Sequence, residues 1–210
     1  MGMNVLGLDL THTGHAGFMI KTDKVIYFDP YQIQTNEKAD IIFISHEHYD
    51  HCSIADINNI IKPSTVIVTV PDCQSKLAGL PIANVTLVKP GDKLNIQGLA
   101  VEVVPAYNLN KQFHPFDNQW VGFVVTINGV RVYHAGDTDL IPEMRNLVDI
   151  GIALVPVSGE YVMTAQEAAN AVNLFRPKVA IPMHYGAGVA GTKEDAEKFK
   201  SLAQVEVVLG

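Results

Sequence analysis

Apolar and β-branched residues in the first half of the chain gather into short runs at 5–10, 17–20, 25–28, 41–45 and 65–70, each closed by turn-forming residues. Such runs predict strands. Several are apolar at consecutive positions instead of alternating, which suits strands covered on both faces by helices or by a second sheet. Runs at 99–104, 121–127 and 130–133 continue the series. The last two are joined by Asn128-Gly129, a dipeptide that accepts positive φ at both positions and predicts a tight hairpin.

Beyond residue 140 the period changes. Helices are expected at 141–147, 165–175 and 193–202, alternating with strands at 152–155, 179–182 and 205–209. Thr164 and Glu167 form a Thr-x-x-Glu capping box at the start of the second of these helices. In the first half, Ser53 is placed to cap a helix reaching Ile61, with Ile54, Ile57, Ile60 and Ile61 on one face. Strands first and mixed βα units later predict an α/β architecture of stacked layers. With no linker-like stretch and no internal repeat, a single domain over 1–210 is expected.

Composition narrows the function. The chain has 210 residues, 48% of them hydrophobic and 18% charged, and a mean hydropathy of +0.15, so it can bury enough surface to offset its ordering entropy and is not disordered. Its formal net charge of −7 opposes a polyanionic partner, and no nucleic-acid binding is expected. No apolar run approaches the roughly 20 residues of a membrane-spanning helix. The start, Met1-Gly2-Met3-Asn4-Val5-Leu6, lacks the basic residues and apolar centre of a signal peptide. Cys52 and Cys73 have no metal-type spacing and read as free buried thiols in a reducing compartment, with the cytoplasm the expected location. Nothing in the sequence sets the oligomeric state.

The eight histidines are organised. In Ile41-Ile42-Phe43-Ile44-Ser45-His46-Glu47-His48-Tyr49-Asp50-His51 an apolar strand runs straight into three histidines and an aspartate. If the chain is still extended there, His46 and His48 point the same way and can share one ion. Asp50 and His51 follow after a turn and could serve a second ion. Imidazole and carboxylate without thiolate suit Zn²⁺ and accept Mn²⁺ or Fe²⁺.

With these residues in place, the chain resembles the metallo-β-lactamase-fold hydrolases, whose His-x-His-x-Asp-His motif is matched by His46, His48, Asp50 and His51. Asp29-Pro30, Gly136-Asp137-Thr138 and Pro182-Met183-His184 resemble further family motifs in the family's order. The strings around His15, Asp137 and His184 are most similar to the small branch of ascorbate-6-phosphate lactonase-like proteins. The resemblance implies a four-layer αββα sandwich and two divalent metal ions, with His46 and His48 on one, Asp50, His51 and His184 on the other, and Asp137 bridging them. It also implies hydrolysis of an ester, lactone or phosphoester of a small molecule by metal-activated water, with Asp50 as the catalytic residue that orients the water and shuttles its proton.

One position departs from that pattern. Where the family places a further histidine, after 103–107, this chain has Asn108, and six residues later comes His114. Either His114 supplies the missing ligand or the first ion is short of one. Asp29 reads as a carboxylate that orients a ligand histidine, and His15 as a pocket or hydrogen-bonding residue. His134 reads as a buried core residue, His12 as a strand-end surface residue, and Cys52, Trp120, Tyr161 and Met163 as packing. The competing functions are a nuclease or phosphodiesterase of the same superfamily and a non-catalytic metal-binding module. A structural zinc site closes with four ligands, fewer than are available here.

Overall fold

Leu6 and Gly7 both take positive φ, 51° and 83°, so the stretch 5–10 is not one strand. It doubles back through a two-residue turn between β1 (Gly2–Val5) and β2 (Leu8–Gly14), because Gly7 accepts the left-handed geometry such a turn requires. β3 (Gly17–Lys21) and β4 (Val25–Phe28) continue antiparallel, and β5 (Ile41–Ile44), β6 (Val66–Thr69) and β7 (Asn84–Leu87) then add in parallel. Helices α1 (Ile54–Ile60) and α2 (Gln74–Leu77) lie in the crossovers. Ser53 caps α1 by accepting from the Asp56 amide, and Ile57 and Ile60 are its buried residues.

The computed structural model describes residues 2–81 and 84–210; Met1 of the opening stretch lies outside them. The chain divides into two compact units, the first ending at Val88 and the second starting at Lys89. The second unit begins with an antiparallel run of β8 (Lys93–Ile96), β9 (Leu99–Pro105), β10 (Val121–Ile127) and β11 (Val130–His134). Parallel strands β12 (Ile152–Pro156), β13 (Val179–Met183) and β14 (Glu206–Val207) follow. Each unit therefore carries a seven-stranded mixed sheet, antiparallel at one end and parallel at the other.

Asn128 and Gly129 take φ of 49° and 79°, as the hairpin requires. Helices α3 (Ala165–Phe175) and α4 (Lys193–Leu202) keep the predicted limits, and Thr164 and Glu167 make the capping box. The stretch 141–147 differs: it is a 3₁₀ turn over Pro142–Asn146. Its buried residues Ile141, Met144 and Leu147 recur every third position, the period of a 3₁₀ helix and not of an α-helix. The strand expected at 205–209 shortens to the edge strand β14. β7 has exposed and half-buried residues only, and β8 buries Ile96 alone, so neither carries an apolar run.

Every residue of β5, β12 and β13 is buried, as continuous apolar runs in parallel strands require. Their order sets the chemistry. Neighbouring parallel strands finish side by side, and in such sheets ligands bind beyond the carboxyl ends. The loops after β4 and β5 therefore meet in the first unit, and those after β11, β12 and β13 in the second. Among the described residues, no helix is long and apolar enough to cross a membrane.

Candidate metal centre

In the first unit, Asp29 follows β4 and Ser45 follows β5. The Asp29 amide donates to the Phe43 carbonyl at 2.9 Å, and a φ of 39° at Asp29 turns the chain at once. Asp29 Oδ1 accepts from the Ser45 amide at 2.7 Å, and Oδ2 accepts from Ser45 Oγ at 2.6 Å. Oδ2 also lies 2.7 Å from His51 Nδ1. With its proton directed at Asp29, Ser45 Oγ is an acceptor toward His46 Nδ1, 3.0 Å away. Both rings thus carry their proton on Nδ1 and expose a lone pair at Nε2.

The next residues turn back on the His48 carbonyl, which accepts from the amides of His51 and Cys52. His46 Nε2 lies 3.0 Å from His48 Nδ1. Asp50 Oδ2 lies 2.9 Å from His15 Nε2 and 3.6 Å from His51 Nε2. His15, Asp50 and His51 each bring one ligand atom, all within 4.8 Å of one another. His15 takes a φ of 53° and is fully buried, and its bond to Asp50 makes it part of this cluster.

In the second unit the ends of β11, β12 and β13 deliver Asp137, Ser158 and His184. His184 takes a φ of 63°, leaving β13 as abruptly as Asp29 leaves β4. Its Nδ1 lies 3.0 Å from Ser158 Oγ and its Nε2 lies 3.0 Å from Asp137 Oδ2. His114 reaches the same oxygen with Nε2 at 3.2 Å. Its Nδ1 is 3.2 Å from both Asn108 Oδ1 and the Tyr161 carbonyl. Both partners are acceptors, so Nδ1 holds the proton and Nε2 presents a lone pair to the carboxylate.

His51 Nε2 against Asp50, and His114 Nε2 against Asp137, are therefore acceptors facing acceptors in buried surroundings. A second proton on the ring or a cation relieves such a juxtaposition. Four histidines with one ring nitrogen held by protein and the other turned toward a carboxylate or an imidazole form the donor arrangement of metal sites. The residues present fit divalent cations.

The remaining expectations sort cleanly. His134 is fully buried in β11 and accepts from the Gly136 amide through Nδ1. His12 is not a surface strand end: it lies within β2, stacked on Phe18 at 4.8 Å, with its ring bonded to the His15 carbonyl. Burial lowers its pKa and favours the neutral ring. Trp120 and Met163 are core residues, although Trp120 also lies edge-on to His114 at 5.6 Å. Cys52 and Cys73 are free and buried; the bond to Cys73 lowers the Cys52 pKa, and the same bond raises that of Cys73. Tyr107, hydrogen-bonded to Glu143, has its hydroxyl pKa raised by burial and by that carboxylate. Sequence reasoning missed Ser45, Ser158, Asp139 and the Tyr161 carbonyl. Ser45 adjoins His46 and Asp139 stands in the Asp137 string, but a lone serine or a backbone carbonyl leaves no sequence signal.

A family model described as a β-lactamase superfamily domain matches residues 9–184, a span that contains every residue placed in the two clusters. The chain belongs to the β-lactamase superfamily. Within that superfamily it is 32% identical to a UPF0173 metal-dependent hydrolase of Methanopyrus kandleri, over 95% of both chains. It is also 32% identical to one of Thermococcus kodakarensis, over 93% of both. A crystal structure of a candidate metal-dependent hydrolase from Parabacteroides distasonis superposes with a TM-score of 0.85 at 32% identity, covering 100% of this chain and 96% of that one. A metallo-β-lactamase fold protein of Bacillus subtilis superposes with a TM-score of 0.73 at 12% identity, covering 96% and 95%, a likeness of fold alone. This superfamily member has the metallo-β-lactamase fold, with two seven-stranded mixed sheets and flanking helices.

Proposed function

We propose that His46, His48, Asp50 and His51, with His114, Asp137 and His184, hold two divalent cations, zinc before manganese or iron, and that the protein hydrolyses an ester, lactone or phosphoester of a small molecule in the cytoplasm. The observation that carries this reading is the convergence of buried imidazole nitrogens on one carboxylate in each unit, His15 and His51 on Asp50 and His114 and His184 on Asp137. Bound there, divalent cations supply Lewis acidity and bring the pKa of water down to about 7. The chain supplies the rest. Asp29 and Ser45 fix His51 and His46, and Ser158 holds His184. Asp50, its Oδ2 held by His15 Nε2 at 2.9 Å, orients the attacking water and accepts its proton.

The net charge of −7 favours a small substrate over a nucleic acid, and seven donors exceed the four of a structural zinc site. Metal content by mass spectrometry, with turnover of p-nitrophenyl acetate, a γ-lactone, p-nitrophenyl phosphate and bis-p-nitrophenyl phosphate before and after chelation, tests the reading. Bound metal and chelator-sensitive turnover that Zn²⁺ restores are expected. Turnover of the diester alone would move the assignment to a phosphodiesterase. Tight metal with no turnover of any of the four would leave a binding module, and turnover indifferent to chelation would overturn the metal mechanism.

A further inference from the structure

Asn108 stands just beyond β9, where the superfamily pattern expects a ligand histidine, and every polar atom of its amide is engaged within the second unit. Its backbone N–H donates to the His114 carbonyl at 2.8 Å. Its Oδ1 accepts from the His114 amide at 3.0 Å and faces His114 Nδ1 at 3.2 Å. Its Nδ2 donates to Asp139 Oδ1 at 3.2 Å and to the Tyr161 carbonyl at 2.9 Å. Asp139 is itself pinned: it accepts from the Leu109 amide at 2.9 Å and from Lys111 Nζ, and its own amide donates to the Tyr107 carbonyl at 2.9 Å. Asn108, His114 and Asp139 are all buried. The loop 108–114 is thus clasped at both ends by one asparagine.

We infer that Asn108 is a positioning residue for His114. It replaces a ligand at this site by holding one supplied six residues later, and Asp139 with Lys111 anchors it. The inference rests on the reading of His114 as a metal ligand. The geometry also says why the residue is asparagine. Oδ1 must accept from His114 while Nδ2 must donate to two acceptors, and a carboxylate at 108 would face Asp139 and the Tyr161 carbonyl with no proton to give.

The test compares Zn²⁺ affinity, by competition with a chromophoric chelator, in the full chain and in Asn108→Ala, Asn108→Asp, His114→Ala and the Asn108→Ala/His114→Ala double variant. Partners that orient a metal-binding histidine are worth roughly 10- to 100-fold in affinity, so each Asn108 variant should lose about that much. The double variant should bind no more weakly than His114→Ala, because Asn108 acts through that ring. Imidazole ¹⁵N shifts should show the His114 Nδ1–H tautomer in the wild type and a smaller share of it in Asn108→Ala, where the Tyr161 carbonyl is the remaining acceptor. Adding Asp139→Asn to Asn108→Asp restores a donor facing an acceptor and should recover part of the affinity in a chain of nearly unchanged shape. Losses that multiply in the double variant, or an Asn108→Ala affinity within twofold of wild type beside a weakened His114→Ala, would overturn the positioning role alone. A His114→Ala variant with unchanged affinity and stoichiometry would remove the ligand reading and the clasp together.

Discussion

The two donor sets are built differently. In the first unit, four candidate ligands come from six consecutive positions, and two of their imidazoles are fixed through a single buried carboxylate, Asp29 directly to His51 and through Ser45 to His46. In the second, His114, Asp137 and His184 come from three separate loops, and neutral groups orient the imidazoles: an amide, a backbone carbonyl and a serine hydroxyl. A charged acceptor makes a stronger bond to an imidazole N–H than a neutral one and raises the basicity of the opposite nitrogen more. The first set is therefore the stiffer and more electron-rich, and the second the more adjustable.

The largest effect should follow from removing the shared carboxylate. Asp29→Ala abandons the Ser45 amide, the Ser45 hydroxyl and His51 Nδ1 as donors in a buried site. At about 1–3 kcal/mol for each stranded polar group, a loss of about 3–5 kcal/mol in unfolding free energy is expected, with metal affinity down roughly 100-fold. Denaturant titration and metal competition measure both. Asp29→Asn keeps the shape and the tolerance for a φ of 39°, so it should fall between. A loss below about 1 kcal/mol for the alanine variant would mean that the first set is not held through this residue.

The same contrast governs what could be read from the sequence. The grouping of His46, His48, Asp50 and His51 was legible because they fall within six positions just past an apolar strand, although the chain there turns instead of staying extended, and Asp29 because it follows the neighbouring strand. The limits of α3 and α4 were legible from capping and period. His114 was left open, because a loop histidine announces neither its burial nor its partners; those depend on Asp139 and Tyr161, 25 and 47 positions further along. The break in 5–10 and the 3₁₀ turn at Pro142–Asn146 were misread where a turn residue or a period of three competed with an apolar run.

A smaller effect, confined to the second set, tests whether its loops are as adjustable as the neutral partners suggest. Gly191 has a φ of 72°, and a Cβ there would meet Ser158 Cβ at 2.6 Å and the His184 carbonyl at 2.9 Å. Gly191→Ala should push Ser158 and His184 apart at a cost of about 1–3 kcal/mol, read as a lowered midpoint in urea with an unchanged slope. A rigid second set would lose metal together with stability. An adjustable one keeps metal affinity within about tenfold.

Ser158→Ala should have the smallest effect and separates the two designs most directly. It deletes one hydroxyl beside His184 Nδ1, with no charge lost and little volume changed. A neutral hydrogen bond contributes about 0.5–1.5 kcal/mol, so stability should fall by about 1 kcal/mol and Zn²⁺ affinity by about tenfold. Asp29→Ala removes the oxygen partner of His51 Nδ1, and Ser158→Ala that of His184 Nδ1. If their affinities fall equally, the charge on Asp29 contributes nothing beyond orientation, and the two sets are equivalent despite their different partners. If Asp29→Asn, which keeps the shape and removes the charge, also loses at least several-fold more than Ser158→Ala, the charge is what makes the contiguous set the stronger anchor.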